Sequence, residues 1–242
     1  MIIDLIKKNI PEYTTTLPVS KQKVSFRPLL VKEEKYFSII TNISSTFEDK
    51  IKNICSLVNS CFDDKIKSSL LPISDFQFAL NSIRQKSISE TSTLKITCPY
   101  TKESVQINFD LNDLSMKTTK KDLTINLKSE MKLKFRSPRM KDLLIFEKFP
   151  ESDSEIFHLV AQCLVEIETP SGIIETQELD YKEKSSYIEL LERSTYKKVK
   201  EFICDSNISF MLKYKTSDSV DREIEVNDFV NFLKFYLVIL TL

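Results

Sequence analysis

One glycine, Gly172, stands in a chain of 242 residues, where ordinary usage of about 7% predicts about 17. Loops that cradle phosphates need several glycines for tight turns and close backbone approach. Walker-type and dinucleotide-binding sites are therefore excluded. Histidine is equally scarce. The single His158 lies in the run Ser154-Glu155-Ile156-Phe157-His158-Leu159-Val160-Ala161, whose spacing is helical, so it reads as a helix-face residue rather than as a catalytic or metal-binding one. Net charge is absent as well. Lys plus Arg and Asp plus Glu both number 35, which weakens any reading in which the field of the whole protein draws it onto nucleic acid or an acidic membrane.

Cysteines number five, Cys55, Cys61, Cys98, Cys163 and Cys204. The count is odd, no two are separated by two residues, and three sit in apolar helical contexts, so they read as reduced thiols of an intracellular protein. The opening Met1-Ile2-Ile3-Asp4-Leu5 carries an early acid, and Lys7-Lys8 follow the apolar residues instead of preceding them, which is unlike a signal peptide. With 41% apolar and 29% charged residues, the composition is that of an ordinary globular protein.

What the chain does have is an internal echo. Lys23-Val24-Ser25-Phe26-Arg27, followed by Val31-Lys32-Glu33, reappears as Lys132-Leu133-Lys134-Phe135-Arg136, followed by Met140-Lys141-Asp142, at an offset of 109. Thr101 to Leu114 reappears as Thr216 to Phe229 at an offset of 115, with five identities in 14 positions. Two ordered matches at nearly one long spacing point to duplicated domain-sized units rather than to a solenoid. The expected organisation is an N-terminal extension (1–17), a first copy (18–116), a linker (117–126), a second copy (127–230) and an apolar tail (231–242).

Alternation and helical spacing predict the same coarse order in both halves: hairpin, helices, helix, hairpin. In the first half these are a hairpin over Leu17 to Pro28, helices over Val31 to Ile40 and Phe47 to Phe62, a helix capped by Ser74, and a hairpin around Pro99-Tyr100-Thr101-Lys102. In the second half, strands are expected at Leu123 to Leu127 and Met131 to Phe135. Helices follow near Met140 to Phe146, over Ser154 to Val165, over Tyr181 to Leu191 and from Ser194, and a final hairpin spans Ser209 to Val226. The fold class is α+β, as two tandem related copies.

The pieces Leu17-Pro18, Phe26 to Lys35, Leu80 to Glu90 and Cys98-Pro99, with the closing order of helix, hairpin and Asn227-Asp228-Phe229, resemble the baseplate hub assembly family of T-even-type contractile-tailed phages. The resemblance covers most of the chain. It implies a nonenzymatic protein that helps build the hub of the tail baseplate in the host cytoplasm, as chaperone, adaptor or structural subunit. Its partners would be other hub proteins or a second copy of itself, with no membrane, nucleic acid or small-molecule substrate. The competing class is a nucleic-acid-associated cytoplasmic protein without catalysis.

Members of that family often carry a Cys-Pro-x-Cys turn, and here the second cysteine position is Thr101. One thiolate does not make the four-ligand site that zinc favours, so no cofactor and no metal are expected. Phe26-Arg27 and Phe135-Arg136 form the repeat signature. Each arginine could read a partner's carboxylate with its planar fork. The preferred reading is internal, with Arg27 paired to Glu33 and Arg136 to Asp142, six residues on in both cases.

The basic runs Lys117-Thr118-Thr119-Lys120-Lys121 and Lys197-Lys198-Val199-Lys200 read as solvated faces, because Tyr196 and Phe202 fit a buried helix stripe rather than a stacking platform. From Phe229 to Leu242 eleven of fourteen residues are apolar, too short for the roughly 20 that span a bilayer. Leu237, Val238, Ile239, Leu240 and Leu242 extend past the repeat and are the expected partner-docking residues.

Overall fold

The first hairpin sets the pattern for the whole chain. In the computed structural model, which describes residues 9–113, 121–127, 130–205 and 210–226, strand β1 (Tyr13–Thr16) pairs antiparallel with β2 (Lys23–Phe26). Their turn closes through the Leu17 N–H donating to the Gln22 carbonyl at 2.9 Å, with Lys21 at φ 59°. A chain this poor in glycine must put other residues into the left-handed region, where a Cβ costs about 1–2 kcal/mol. Lys102 (61°), Glu130 (57°) and Ser219 (59°) do the same in three further hairpin turns.

After a 3-10 turn at Val31–Glu33 come α1 (Glu34–Thr41) and α2 (Phe47–Cys61). Helix α2 starts at Thr46, whose hydroxyl accepts the Asp49 N–H at 3.1 Å, and it buries the stripe Ile51, Ile54, Cys55, Val58 and Cys61 expected from its spacing. Helix α3 (Ile73–Ser87) begins immediately after Pro72, which occupies the cap position. Ser74 therefore lies inside the helix rather than capping it. Asp75, beside it, is fully buried and accepts the N–H groups of Val19 (2.7 Å) and Ser20 (2.9 Å), fastening the first hairpin to α3. Strands β3 (Thr91–Thr97) and β4 (Ser104–Asp110) complete the first half as an antiparallel hairpin.

The second half begins with β5 (Asp122–Asn126) paired to β6 (Lys132–Arg136). Residues 122–126, assigned above to the linker, are thus strand, just as β1 falls inside the stretch assigned to the N-terminal extension. A 3-10 turn over Met140–Ile145 replaces the expected helix, and α4 (Asp153–Cys163) follows, capped by Ser152 and Glu155 acting reciprocally. Here the sequence reading fails. Helix α4 stops at Cys163 and the chain passes without a loop into β7 (Leu164–Thr169) and β8 (Gly172–Glu175), which extend the sheet in the order β5-β6-β7-β8. A bulge opposite Lys134 and Phe135 lets Leu164 and Ile167, three residues apart, both face the core. That spacing mimics a helix.

Helices α5 (Tyr181–Glu189) and α6 (Arg193–Cys204) and the hairpin β9 (Phe210–Lys215) and β10 (Asp221–Val226) close the described chain. The cap position of α6 is Glu192, so Ser194, like Ser74, is the second residue of its helix. The match at offset 115 is not a residue-for-residue structural correspondence, since Val105 lies within β4 while Val220 precedes β10.

Three apolar clusters result. One lies around β2, α2 and α3; a second lies between the four-stranded sheet and α4 to α6; a third, smaller one lies between hairpins β3–β4 and β9–β10 and includes Cys98, Ile107, Leu212 and Tyr214. The first cluster also takes in Met140 and Leu143 from the second half, and Phe47 packs against both large clusters. Backbone bonds cross at the same place, from Ile73 N–H to Pro138 (3.0 Å) and from Met140 N–H to Leu71 (3.3 Å). The mixed helix-and-sheet architecture is the expected α+β class.

Candidate functional site

Arg27 follows directly on β2 and Arg136 ends β6, and each is folded inward by the 3-10 turn that comes next. Arg27 gives both terminal nitrogens to Glu33, at 3.2 and 3.0 Å, as a two-point fork. The same nitrogens donate to the carbonyls of Pro28 (3.0 Å) and Ser60 (2.8 Å), while Nε faces Asp63 at 3.7 Å. Glu33 is completely buried and also accepts the Ser60 hydroxyl (2.7 Å) and the Leu30 N–H (2.8 Å). Burial opposes both charges. The mutual hydrogen bonds and attraction outweigh it, raising the Arg27 pKa and holding Glu33 below the ordinary carboxylate range.

Arg136 does the same in the second half. Its fork grips Asp142 at 2.6 and 2.9 Å, and it donates to the carbonyls of Ser137 (3.1 Å) and Gln162 (3.2 Å). Asp142 in turn accepts the Arg139 N–H at 2.7 Å. Burial again opposes the arginine's charge and the bonds to Asp142 again overcome it. In both halves the second carbonyl belongs to the residue before the last one of a later helix, α2 or α4, and that last residue is a buried cysteine, Cys61 or Cys163. Burial above all pushes the Cys61 thiol up to about 12 and raises that of Cys163 too.

Counting donors decides what these arginines do. A guanidinium has five N–H groups, and at both sites all four on the terminal nitrogens are spent on the protein's own oxygens. Neither fork has donors left for a partner's carboxylate. The internal pairing favoured by the sequence is the arrangement found, and each fork locks a strand end, a 3-10 turn and a helix C-terminus together. Phe26 and Phe135 lie one residue before, both buried; Phe26 packs against Tyr13 (5.8 Å between centroids) and Phe62 (5.4 Å). Sequence reasoning found the pairs but missed Ser60 and Gln162, because main-chain carbonyls leave no signature in residue identity.

Other candidates resolve in similar terms. His158 lies on α4 with Phe146 edge-on (5.6 Å) and Tyr181 against its ring (3.8 Å), and burial lowers its pKa. The Cys98 sulfur is met by the Thr101 N–H (3.5 Å) and the Tyr214 hydroxyl (3.4 Å). On α6, Lys200 pairs with Asp153 (2.5 Å) and Lys197 with Glu201 (3.8 Å), while Tyr196 packs against Phe157 (5.9 Å) as the expected inward stripe. Most of the other basic run, and the tail residues Leu237, Val238, Ile239, Leu240 and Leu242, lie outside the described residues. Among the described residues no helix is long and apolar enough to cross a membrane.

Comparison with protein families supplies the deciding observation, because the description "T4 bacteriophage base plate protein" fits the chain over residues 10–234. The chain belongs to this baseplate protein family. No curated protein and no solved structure matches it. As a member of the T4 baseplate family the protein is a bacteriophage baseplate protein, and the match takes in both arginine forks and all three apolar clusters.

Proposed function

We propose that this protein is a nonenzymatic component of baseplate hub assembly, working in the host cytoplasm by binding other hub proteins or a second copy of itself. The observation that carries the reading is family membership across 10–234. The forks support it, since two buried charged clusters are consumed internally and serve as braces. A chaperone or adaptor would be abundant in infected-cell lysate and missing from purified particles, whereas a structural subunit would be present in both. Mass spectrometry of the two samples separates these roles. A chain found in neither tail nor hub complexes would overturn the proposal.

The same reading includes a duplication. Its support is the sharing of contacts at a constant offset of 109: Arg27 with Arg136, Glu33 with Asp142, Leu30 with Arg139, and the left-handed turn residues Lys21 with Glu130. Under this proposal the second copy has acquired β7, β8 and α5 between the helix that ends in cysteine and the helix before the last hairpin.

The apolar tail is the proposed docking segment, through Leu237, Val238, Ile239, Leu240 and Leu242. Deleting Val238 to Leu242 should abolish capture of hub proteins and leave cooperative unfolding intact. Unchanged capture, or an unfolded product, would remove the tail from the proposal.

A further inference from the structure

Between the two halves lies a cleft of about 310 Å³, walled by the first hairpin turn, the segment after α2, the start of β5 and the end of β6. Its size is at the lower end of small-ligand sites, about 300–1,000 Å³, and suits a side chain or a short stretch of peptide. Its floor is apolar, with Ile66 and Leu71 buried. Five cations line it against one acid, Asp122.

Two of those cations are already matched, Arg136 by Asp142 and Lys65 by Glu12 (3.4 Å). Lys67, Lys121 and Arg139 have no ion pair within 4.0 Å among the described residues. Arg139 is the informative one. Its backbone N–H caps the turn through Asp142, but its guanidinium makes no hydrogen bond to the described residues. It is partly buried, and burial first, then the neighbouring Arg136 charge, lower its pKa. A cation held under that penalty gains from any carboxylate brought to it. The Ser20 hydroxyl, buried on the same wall, also lacks a hydrogen-bond partner among the described residues.

We infer that this cleft receives an acidic side chain from a segment of a partner protein, with the carboxylate seated on the Arg139 fork and flanked by Lys67 and Lys121. A carboxylate matches the planar two-point geometry of a guanidinium. The apolar floor suits the stem and neighbours of a peptide. Nucleic acid is the poorer fit, because none of the lining residues is aromatic and single strands are usually held by stacking as well as by charge. The inference rests on the assembly reading and specifies the chemistry of one contact within it.

The test is fluorescence anisotropy of a labelled hexaglutamate peptide with the full chain in dilute salt, about 50 mM, where screening is modest. The double variant Arg139→Gln with Lys67→Gln should weaken binding by about tenfold or more, the scale of one charge-assisted bond. Lys197→Gln with Lys198→Gln removes the same charge from the exposed face of α6 and should change it by less than about twofold. Arg139→Lys keeps the charge without the fork and should fall between. Lys67→Gln with Lys121→Gln provides the same loss without touching Arg139, should that change disturb folding.

Equal losses from the cleft and α6 pairs, no binding by the parent, or tighter binding of a thymidine oligonucleotide than of the peptide would each overturn the inference. Incorporation into tail particles is scored separately. A parent chain that enters particles but ignores the peptide removes the cleft proposal and leaves the assembly reading standing.

Discussion

Replacing Arg27 by methionine keeps much of the side chain's volume and deletes its charge. Glu33, fully buried, then loses two N–H donors and its buried countercharge, and retains the Ser60 hydroxyl at 2.7 Å, the Leu30 N–H at 2.8 Å and the exposed Lys32 ammonium at 3.8 Å. Breaking a buried pair from one side typically costs about 3–5 kcal/mol, because a charge is left uncompensated. Two surviving donors place Arg27→Met near the lower bound, about 3 kcal/mol. That is a large part of the ~5–15 kcal/mol that holds an ordinary domain. Adding Glu33→Gln removes the orphaned charge, so the double variant should be about 2 kcal/mol more stable than the sum of the singles.

Acidity supplies an independent check. In the parent, Glu33 has a folded pKa below its ordinary 4.5, so it contributes stability that is fully present above about 4.5 and is lost as pH falls through the folded value. In Arg27→Met the buried carboxyl should instead titrate above 4.5, so acidification relieves the variant while it weakens the parent. Urea unfolding of both proteins from pH 7 to pH 4 should show the difference between them shrinking. A loss under about 1 kcal/mol at pH 7, additive single effects, or a pH-independent difference would refute the reasoning.

Three further outcomes are expected. Lys102→Gly, at a left-handed hairpin position (φ 61°), should raise stability by about 0.5–1 kcal/mol as the Cβ strain is removed; a lower melting temperature would contradict it. Met140→Ala should cost about 3 kcal/mol, within the usual range for a buried methionine, and should reduce hydrogen-exchange protection in α2 of the other half, because Met140 packs into that core; unchanged α2 protection would mean the halves are energetically separate. Ellman's reagent should titrate one thiol quickly in the native protein, the exposed Cys204, and all five after denaturation, since Cys55, Cys61, Cys98 and Cys163 are buried; two or more fast thiols would show that the cores open readily.

The amino-acid sequence by itself determined the local structure wherever periodicity and chemistry agreed. The buried stripe of α2, the alternating strands β3 to β6 and the pairing of Arg27 with Glu33 and Arg136 with Asp142 follow from spacing and charge within a few residues, whereas β1 (Tyr13–Thr16) lies before the hairpin expected over Leu17 to Pro28. Composition also ruled out phosphate-cradling loops, since one glycine cannot build them. What the sequence did not display depends on contacts between distant segments. The passage from α4 into β7 was hidden because a bulge gives Leu164 and Ile167 a helix-like spacing.

The carbonyls of Ser60 and Gln162, which complete the arginine braces, are invisible in residue identity. So is the insertion of Met140 and Leu143 into the first-half core, which joins two units that the sequence presents as separate. The basic cleft exists only because that joint brings Lys67, Lys121 and Arg139 together from three segments. A one-dimensional pattern records which side chains are apolar or charged; which of them meet is decided when burying apolar surface and matching buried charges are satisfied together in three dimensions.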